Sequence, residues 1–263
     1  MIIKNQKELE ILREGGKRLA AVLQEVAHHA IAGVSARELD DLAEKLILKA
    51  GGAPSFKGYK VRGAPMPYPG SLCVSINDEV VHGLPTDRVL KAGDVVGLDI
   101  GMQWEGLFTD TALTLVTQTE FRSTSDLNSV WGRSNKLIEA TKKSLEIGIA
   151  QVRAGARVGD IGYAIQQFLE KEGFGVVREL VGHGVGSAVH EDPEIPNFGK
   201  KGVGAELVEG MVIALEPMAT DGSPKVKIAP DGWIWVTSDG SRAAHFEHTV
   251  VVTKNRAEVL TKW

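Results

Sequence analysis

The sequence predicts an α+β fold made of two successive groups of helices and strands. Near the amino end, apolar residues recur at spacings of three and four, which is typical of amphipathic helices. Segments of alternating polar and apolar residues follow, and the order of helices and then strands repeats in the second half. Because no linker rich in Pro, Gly or Ser separates two complete sets of elements, we expect residues 1–263 to form one domain.

Composition and charge limit the class of protein. The 263 residues include 30 Lys or Arg and 34 Asp or Glu, and the net charge of −4 argues against a dedicated nucleic-acid-binding protein, which would usually be basic. The single cysteine, Cys73, has no intramolecular partner for a disulfide. The sequence shows neither a charged-then-apolar leader nor an apolar run of about twenty residues, so we expect a cytoplasmic protein with no membrane partner.

The predicted helices lie at the start and in the middle of the chain. They span 6–30, a segment from the capping box of Ser35 and Glu38 to Gly51-Gly52, 129–148 and 158–173. The predicted strands are 72–76, 95–101, 108–116, 176–181, 211–216, 233–237 and 244–252. Residues 53–77 contain no acid and include a basic, Pro- and Gly-rich loop with Lys57, Lys60 and Arg62. We interpret this loop as a solvated surface in preference to a nucleic-acid or ribosome contact.

Two acids are expected to meet across a hairpin. In the strand 95–101, alternation places Asp99 on the face opposite Val96, Leu98 and Ile100. With a turn at residues 102–106, Asp110 lies directly opposite Asp99, with Cβ atoms about 4.5–5.5 Å apart. Like charges at this distance repel each other unless a cation lies between them or they share a proton. A bound metal ion is the simplest solution.

Two further acids occupy similar positions. Glu216 ends an apolar run just before Pro217, and Glu247 begins a β-branched run. For any one of these acids, a strand-end carboxylate that caps a backbone amide is an equally good interpretation. Four acids in four strand contexts weaken that interpretation and favour a shared site.

Histidines in two segments can complete such a site. His183 and His190 lie in GHGVGSAVHEDP, whose glycines indicate that the backbone approaches another group closely. His82 follows the segment 76–81. The remaining histidines are interpreted as solvated, surface or packing residues: His28, His29, His245 and His248.

The donor set indicates the kind of metal and the kind of reaction. Carboxylates with one imidazole are mostly hard oxygen donors, which favour Mn²⁺, Fe²⁺ or Co²⁺ over a structural zinc site built from cysteines. Bridging carboxylates hold two ions about 3.5–4 Å apart, an arrangement that activates a shared water. The residues therefore predict a dinuclear hydrolase but no substrate.

The same segments resemble the bacterial type I methionine aminopeptidases. The resemblance covers nearly the whole chain and rests on four segments in order: DIGMQWEGLFTDTALT, GHGVGSAVHEDP, GMVIALEPMAT and AHFEHTVVVT. It implies the pita-bread (creatinase/aminopeptidase) fold, a curved antiparallel sheet with helices outside and pseudo-twofold halves. It also implies removal of the N-terminal methionine from nascent proteins and peptides whose second residue is small.

The resemblance further implies roles for individual residues. Two divalent ions, Fe²⁺, Mn²⁺ or Co²⁺ with Zn²⁺ as a further candidate, would be held by Asp99, Asp110, His183, Glu216 and Glu247. Asp110 and Glu247 would bridge them. In hydrolysis by a metal-activated water, Glu216 would carry the proton to the leaving amine, and His190 would donate to the developing oxyanion or the substrate amide. His82 would position the peptide near the residue after the scissile bond.

The implied methionine pocket is lined by Tyr68, Cys73 and Trp233, although core packing alone would explain the last two without the family. Two positions depart from the family pattern. Val189 stands where Phe is frequent, and Phe198 stands near a position where Tyr is common. The implied partners are the N-termini of nascent polypeptides, and we expect a monomer.

Two alternatives remain open. A proline-directed relative such as aminopeptidase P or prolidase shares the fold and ligands but usually carries an additional amino-terminal domain, whereas here the motif-bearing domain starts almost at Met1. A catalytically silent pita-bread binding protein, related to nucleic-acid-associated homologues, would have lost metal ligands. All five are present here, which favours the enzyme.

Overall fold

A pair of helices followed by a group of strands occurs twice along the chain, as the sequence predicts. The computed structural model describes residues 1–61, 63–118 and 132–263. Within these ranges the helices are α1 (Gln6–His29), α2 (Ala36–Lys49), α3 (Gly132–Ile149) and α4 (Val158–Lys171). The strands are β1 (Ala53–Pro54), β2 (Leu72–Ile76), β3 (Glu79–Val81), β4 (Val95–Trp104), β5 (Leu107–Val116), β6 (Gly175–Val176), β7 (Gly182–Gly184), β8 (Glu191–Ile195), β9 (Val212–Leu215), β10 (Met218–Thr220), β11 (Val226–Ile228), β12 (Trp235–Thr237), β13 (Ala243–His245), β14 (Glu247–Val252) and β15 (Ala257–Val259).

Side-chain caps set the start of the first two helices. Asn5 Oδ1 accepts a hydrogen bond from Glu8 N at 3.0 Å. The predicted capping box is present, because Ser35 Oγ accepts from Glu38 N and Glu38 Oε2 accepts from Ser35 N. The predicted helix ends agree with the structure to within about two residues, except that 129–131 lie outside the described residues. None of the helices described is long and apolar enough to cross a membrane.

A nine-stranded antiparallel sheet carries the predicted acids. Its hydrogen-bonded order is β1-β4-β5-β14-β9-β7-β8, with β2 also paired to β4 and β15 to β14. Two smaller sheets have the orders β13-β10-β6 and β11-β12-β3. Because β5 pairs with β14, strands from the first and the last parts of the chain meet at the middle of the large sheet.

Each pair of helices packs on its own part of this sheet. One buried cluster joins α1 and α2 to β2 and β4 and includes Leu23, Leu39 and Leu98. A second cluster joins α3 and α4 to β9 and β14 and includes Leu137 and Ile161. Since apolar side chains point to the helices, the alternating side chains of the same strands are available on the opposite face.

The β4–β5 hairpin differs from the predicted register. The two strands leave a two-residue turn, Glu105 and Gly106, with φ angles of 46° and 83°. Positive φ at both positions is the pattern of hairpin turns whose twist matches the flanking strands. Asp99 therefore lies opposite Ala112, and the prediction that it lies directly opposite Asp110 was wrong by two residues. A shift of two residues keeps both acids on the same face.

Two other strand predictions were wrong in part. Most of the range 176–181 is loop between the short strands β6 and β7. The predicted strand 244–252 is interrupted at Phe246, whose N donates to Pro217 O at 3.3 Å. As a result, β13 pairs with β10, whereas β14 pairs with β9 and β5.

Close packing at α4 gives a stability prediction. A Cβ atom at Gly162 would collide with Phe198 O and would lie 2.5 Å from Pro196 O, and no side-chain rotation can relieve contacts with backbone. We expect Gly162→Ala to lower the free energy of unfolding by about 1–3 kcal/mol. Gly132→Ala in α3 is the control, because no atom of another element among the residues described lies within 4 Å of its Cβ position. Urea denaturation measures both variants, and equal stability would contradict the packing argument.

Candidate active site

A cavity of about 830 Å³ contains the residues that the sequence analysis singled out. Its walls come from the large sheet, from β3 and β10, and from the segments that connect β1 to β2, β3 to β4, β6 to β7, β7 to β8 and β11 to β12. All ten predicted site residues line it: Tyr68, Cys73, His82, Asp99, Asp110, His183, His190, Glu216, Trp233 and Glu247.

Strand pairing brings three of the carboxylates together. Glu247 at the start of β14 lies opposite Ala112 of β5, two residues beyond Asp110. Thr249 Oγ1 accepts a hydrogen bond from Asp110 N at 2.9 Å and donates one to Asp110 O at 2.8 Å, which links the two strands. Asp99 shares the face of Asp110 in the hairpin. The three carboxylates are thus positioned by strand backbones rather than by loops.

His183 on β7 is oriented by its own backbone. Its Nδ1 lies 2.9 Å from Gly184 O and donates to this carbonyl, so Nε2 carries the lone pair in the neutral imidazole. Nε2 lies 3.5 Å from Glu216 Oε1 and 3.9 Å from Glu247 Oε1. A cation bound between this lone pair and the two carboxylates would remove their mutual repulsion, and histidines that bind metals typically donate their other N–H to a carbonyl.

Unpaired oxygen atoms test whether this donor set fits a metal ion. Asp99 Oδ1 and Glu247 Oε1 are buried and have no hydrogen-bond partner among the residues described. Ligand atoms of Asp110, His183 and Glu247 lie within 4.8 Å of one another. Unpaired buried carboxylate oxygens cost free energy, and a divalent cation would pair with them. The residues present therefore fit a divalent metal centre.

Burial and mutual repulsion change the acidity of these groups. Burial raises the pKa of Asp99 to about 7, although the nearby His245 acts in the opposite direction. Burial and then the charge of Asp99 raise the pKa of Asp110 far above its usual range, and burial and then Asp110 do the same for Glu247. Burial is the largest single influence on Glu216 and would raise its pKa, but His245, His183 and His190 together outweigh it and lower that pKa. A bound cation would favour the ionised form of all four.

His190 and His82 lie beside the carboxylates. The ring of His190 is edge-on to that of His183, with centroids 4.4 Å apart. Burial, with a smaller contribution from the charge of His183, lowers the pKa of His190 to about 4. Burial also lowers the pKa of His82. His82 has a φ of 60°, unusual for a residue with a side chain, and its ring lies 6.4 Å from that of Trp233. Both imidazoles are neutral at neutral pH and can donate a hydrogen bond.

An apolar cluster forms another wall of the cavity. Tyr68 donates its hydroxyl to Gly83 O at 2.7 Å, and Trp233 Nε1 donates to Met66 O at 3.0 Å, so the polar atoms of both rings are paired with backbone. The rings themselves are 5.2 Å apart in an edge contact. The members of the cluster are all buried: Phe56, Tyr68, Cys73, Val189 and Trp233.

The segment 53–70 is less solvated than the sequence predicts. Phe56 and Tyr68 are buried in the apolar cluster, and β1 pairs with β4. Lys57 Nζ forms an ion pair with Glu44 at 2.6 Å, while Arg62 lies outside the described residues. The segment therefore forms part of the cavity wall instead of a purely solvated loop.

Sequence analysis overlooked two polar residues of the site. His245, interpreted as a surface or packing residue, is buried with Nε2 at 3.3 Å from Glu216 Oε2. Alternation could have found it, because it shares one face of the predicted strand 244–252 with Glu247. Tyr59 places its hydroxyl 2.8 Å from His190 Nδ1, a contact with no local signal in the sequence. Phe198 does not line the cavity; its ring lies beneath the Arg178 guanidinium at 5.0 Å.

Similarity to known proteins assigns the family. The model of metallopeptidase family M24 matches residues 10–254. The chain belongs to this family. Methionine aminopeptidase 1 of Bacillus subtilis is 43% identical over 262 residues, which cover 100% of this chain and 99% of that protein. Methionine aminopeptidase of Clostridium perfringens is 41% identical, covering 99% and 98% of the two chains. The predicted resemblance is confirmed, and the M24 chain is a metal-dependent hydrolase.

Solved structures confirm the predicted fold. The crystal structure of methionine aminopeptidase from Thermotoga maritima superposes with a TM-score of 0.90 at 41% identity and covers 100% of both chains. Prolidase from Pyrococcus furiosus gives a TM-score of 0.74 at 21% identity, and the match covers 66% of that chain. The second similarity shows the shared fold alone. The M24 chain thus has the pita-bread fold, with its curved antiparallel sheet.

Proposed function

We propose that this M24 enzyme removes the N-terminal methionine from nascent proteins and peptides whose second residue is small. The observation that carries the proposal is that one cavity combines the apolar wall of Tyr68, Cys73 and Trp233 with the cluster of carboxylates and His183. A first side chain packed on the wall would present the following peptide bond to the polar cluster. The names of the full-length relatives support the same substrate.

The proposed metal centre holds two divalent ions. The lone pair of His183 Nε2 and carboxylate oxygens that include those of Asp110 and Glu247 would hold them. The complete ligand set is Asp99, Asp110, His183, Glu216 and Glu247. When bound, the ions supply Lewis acidity that polarises the substrate carbonyl and lowers the pKa of water. The hard donors favour Fe²⁺, Mn²⁺ or Co²⁺, with Zn²⁺ as a further candidate.

Three side chains of the cavity would handle protons and the peptide. Glu216 lies within 3.5 Å of His183 Nε2 and would accept a proton from the attacking water and pass it to the leaving amine. His190 would donate to the oxyanion or the substrate amide, a role that suits a neutral imidazole. His82, next to Trp233, would position the peptide at the residue after the scissile bond.

Substrate preference tests the proposal against the proline-directed alternative. We expect kcat/KM to be highest for Met-Ala-Ser, because the apolar wall accepts an unbranched thioether and His82 crowds the second residue. Leu-Ala-Ser should be cleaved about 10- to 200-fold less efficiently, the usual limit of discrimination by shape in an apolar pocket. Replacing the second residue by Leu or Lys, or blocking the free amine, should abolish cleavage. Preference for Ala-Pro-Ala would overturn the proposal in favour of an aminopeptidase P-like enzyme.

The number and identity of the ions require a separate experiment. Metal-free protein would receive Fe²⁺, Mn²⁺, Co²⁺ or Zn²⁺ separately, and calorimetry would give the stoichiometry while hydrolysis of Met-Ala-Ser gives the activity. Two equivalents of ion per chain support the dinuclear site. One equivalent at full activity contradicts it.

The cellular setting is also a proposal. We place the reaction in the cytoplasm, on the N-termini of nascent polypeptides, by a monomer whose residues 1–263 form one catalytic domain. The pairing of β5 with β14, which joins the two parts of the chain, supports the single domain. Light scattering after gel filtration tests the monomer, and co-sedimentation with ribosomes tests a contact through the basic loop that contains Lys60.

A further inference from the structure

We propose that Tyr59 is a positioning residue that fixes the tautomer of His190, with the proton on Nε2 and the lone pair on Nδ1. The inference rests on the proposed function, because it concerns the imidazole that would donate to the substrate. The observation behind it is the distance of 2.8 Å between the Tyr59 hydroxyl and His190 Nδ1, across 131 residues of sequence.

The backbone holds Tyr59 in place on both sides. Tyr59 N donates to Phe56 O at 2.8 Å, and Tyr59 O accepts from Tyr68 N at 2.8 Å. Phe56 and Tyr68 are themselves buried in the apolar cluster. The Tyr59 ring also lies against the His190 ring, with centroids 5.2 Å apart. Both the hydroxyl and the ring of Tyr59 therefore constrain the imidazole.

The direction that we propose for this hydrogen bond is the one that pairs both groups within the protein. If His190 Nδ1 carried the proton, it would donate to the Tyr59 oxygen, and the phenolic proton would need another acceptor. Among the residues described, His190 is the hydrogen-bond partner found for that hydroxyl. Burial raises the pKa of Tyr59, so the phenol keeps its proton. In the proposed arrangement the phenol donates to the Nδ1 lone pair, and both groups are paired within the protein.

The consequence for the cavity concerns the other ring nitrogen. With Nδ1 occupied as an acceptor, neutral His190 must carry its proton on Nε2, the nitrogen left for a bound peptide. A peptide carbonyl or a developing oxyanion accepts hydrogen bonds, so the Nε2–H group of this tautomer can donate one to it. In the opposite tautomer, the Nε2 lone pair would face that oxygen and repel it. Tyr59 would thus act on the reaction through His190 and not by contact with the reacting atoms.

Nitrogen NMR tests the tautomer directly, without a reaction. The probe is ¹⁵N-histidine-labelled full-length protein loaded with Zn²⁺, which has no unpaired electrons, and His190→Ala assigns the signal. We expect an unprotonated Nδ1 and a protonated Nε2 in the wild type, and a mixture of both tautomers in Tyr59→Phe. Tyr163→Phe is the control, because Tyr163 is on α4 and does not line the cavity. A protonated Nδ1 in the wild type, or an unchanged tautomer in Tyr59→Phe, would overturn the proposal.

Kinetics separate positioning from a role in substrate binding. For Met-Ala-Ser, Tyr59→Phe should lower kcat about 3- to 10-fold with little change in KM, as expected for one lost hydrogen bond. In the His190→Ala background, Tyr59→Phe should have no further effect on kcat. A rise in KM at unchanged kcat, or additive losses in the double variant, would overturn the inference. If methionine peptides are not cleaved at all, the proposed function fails, whereas the NMR result still decides the tautomer.

Discussion

Asp110→Ala is expected to abolish peptide hydrolysis and to remove most of the bound metal. The Asp110 carboxylate is buried between Asp99 and Glu247, and its ligand atoms lie within 4.8 Å of those of His183 and Glu247. Alanine removes a proposed metal ligand and a negative charge that would balance the ions. Metal content per chain after reloading and desalting, together with kcat/KM for Met-Ala-Ser, measures both effects. Glu216→Ala should behave in the same way.

A second buried carboxylate provides the control for Asp110. Asp40 on α2 is also buried, but its Oδ1 accepts from Ser71 N at 2.7 Å and Leu72 N at 2.9 Å. Asp40→Asn retains an oxygen for both donors and should keep the metal content and the cleavage of Met-Ala-Ser. Activity of Asp110→Ala within a few fold of wild type, after metal reloading, would show that Asp110 is not a ligand.

The acids of the site were predictable because strands impose a period of two. Gly97 and Gly101 share the face of Asp99 in the alternation, and with the predicted turn at residues 102–106 they placed the acid on an open face of a hairpin. The register was wrong by two residues because the sequence did not show that Glu105 and Gly106 alone make the turn. The error left the site intact, since a shift of two preserves the face of every side chain.

The segment that carries Tyr59 could not be predicted in the same way. Its prolines and glycines produce no periodicity, and its position depends on contacts such as Lys57 with Glu44 and Trp233 with Met66 O. The charged residues suggested solvent, whereas Phe56 and Tyr68, which lie before and after them, are buried and Tyr59 is partly buried. Contacts between residues more than a hundred positions apart arise only from the packed fold.

The break of the last strand illustrates the same limit for His245. The β-branched run after Glu247 predicted one continuous strand, but Phe246 N bonds to Pro217 O and divides it. The division assigns His245 to a different sheet and places its Nε2 beside Glu216. Local propensity does not report which neighbouring strand each half will pair with.

Two histidine substitutions are expected to separate metal binding from transition-state stabilisation. His183→Ala should weaken metal binding, because it removes the Nε2 atom whose lone pair faces Glu216 and Glu247. His190→Ala should retain the metal and lower kcat by about 10²- to 10³-fold, the usual effect of removing a donor to a developing oxyanion. Calorimetric metal titration and steady-state kinetics on Met-Ala-Ser measure the two effects.

The outcome depends on where each imidazole is anchored. His183 Nδ1 donates to Gly184 O, so its Nε2 has a lone pair that can bind a cation. His190 Nδ1 is proposed to accept from Tyr59, so its Nε2 carries a proton that can be donated. His28→Ala on the exposed face of α1 is the matched control and should change neither metal affinity nor kcat. Equal loss of metal in His183→Ala and His190→Ala would place both imidazoles among the ligands. Since a metal-bound Nε2 cannot also donate to a substrate oxygen, that result would remove His190 from the role of donor.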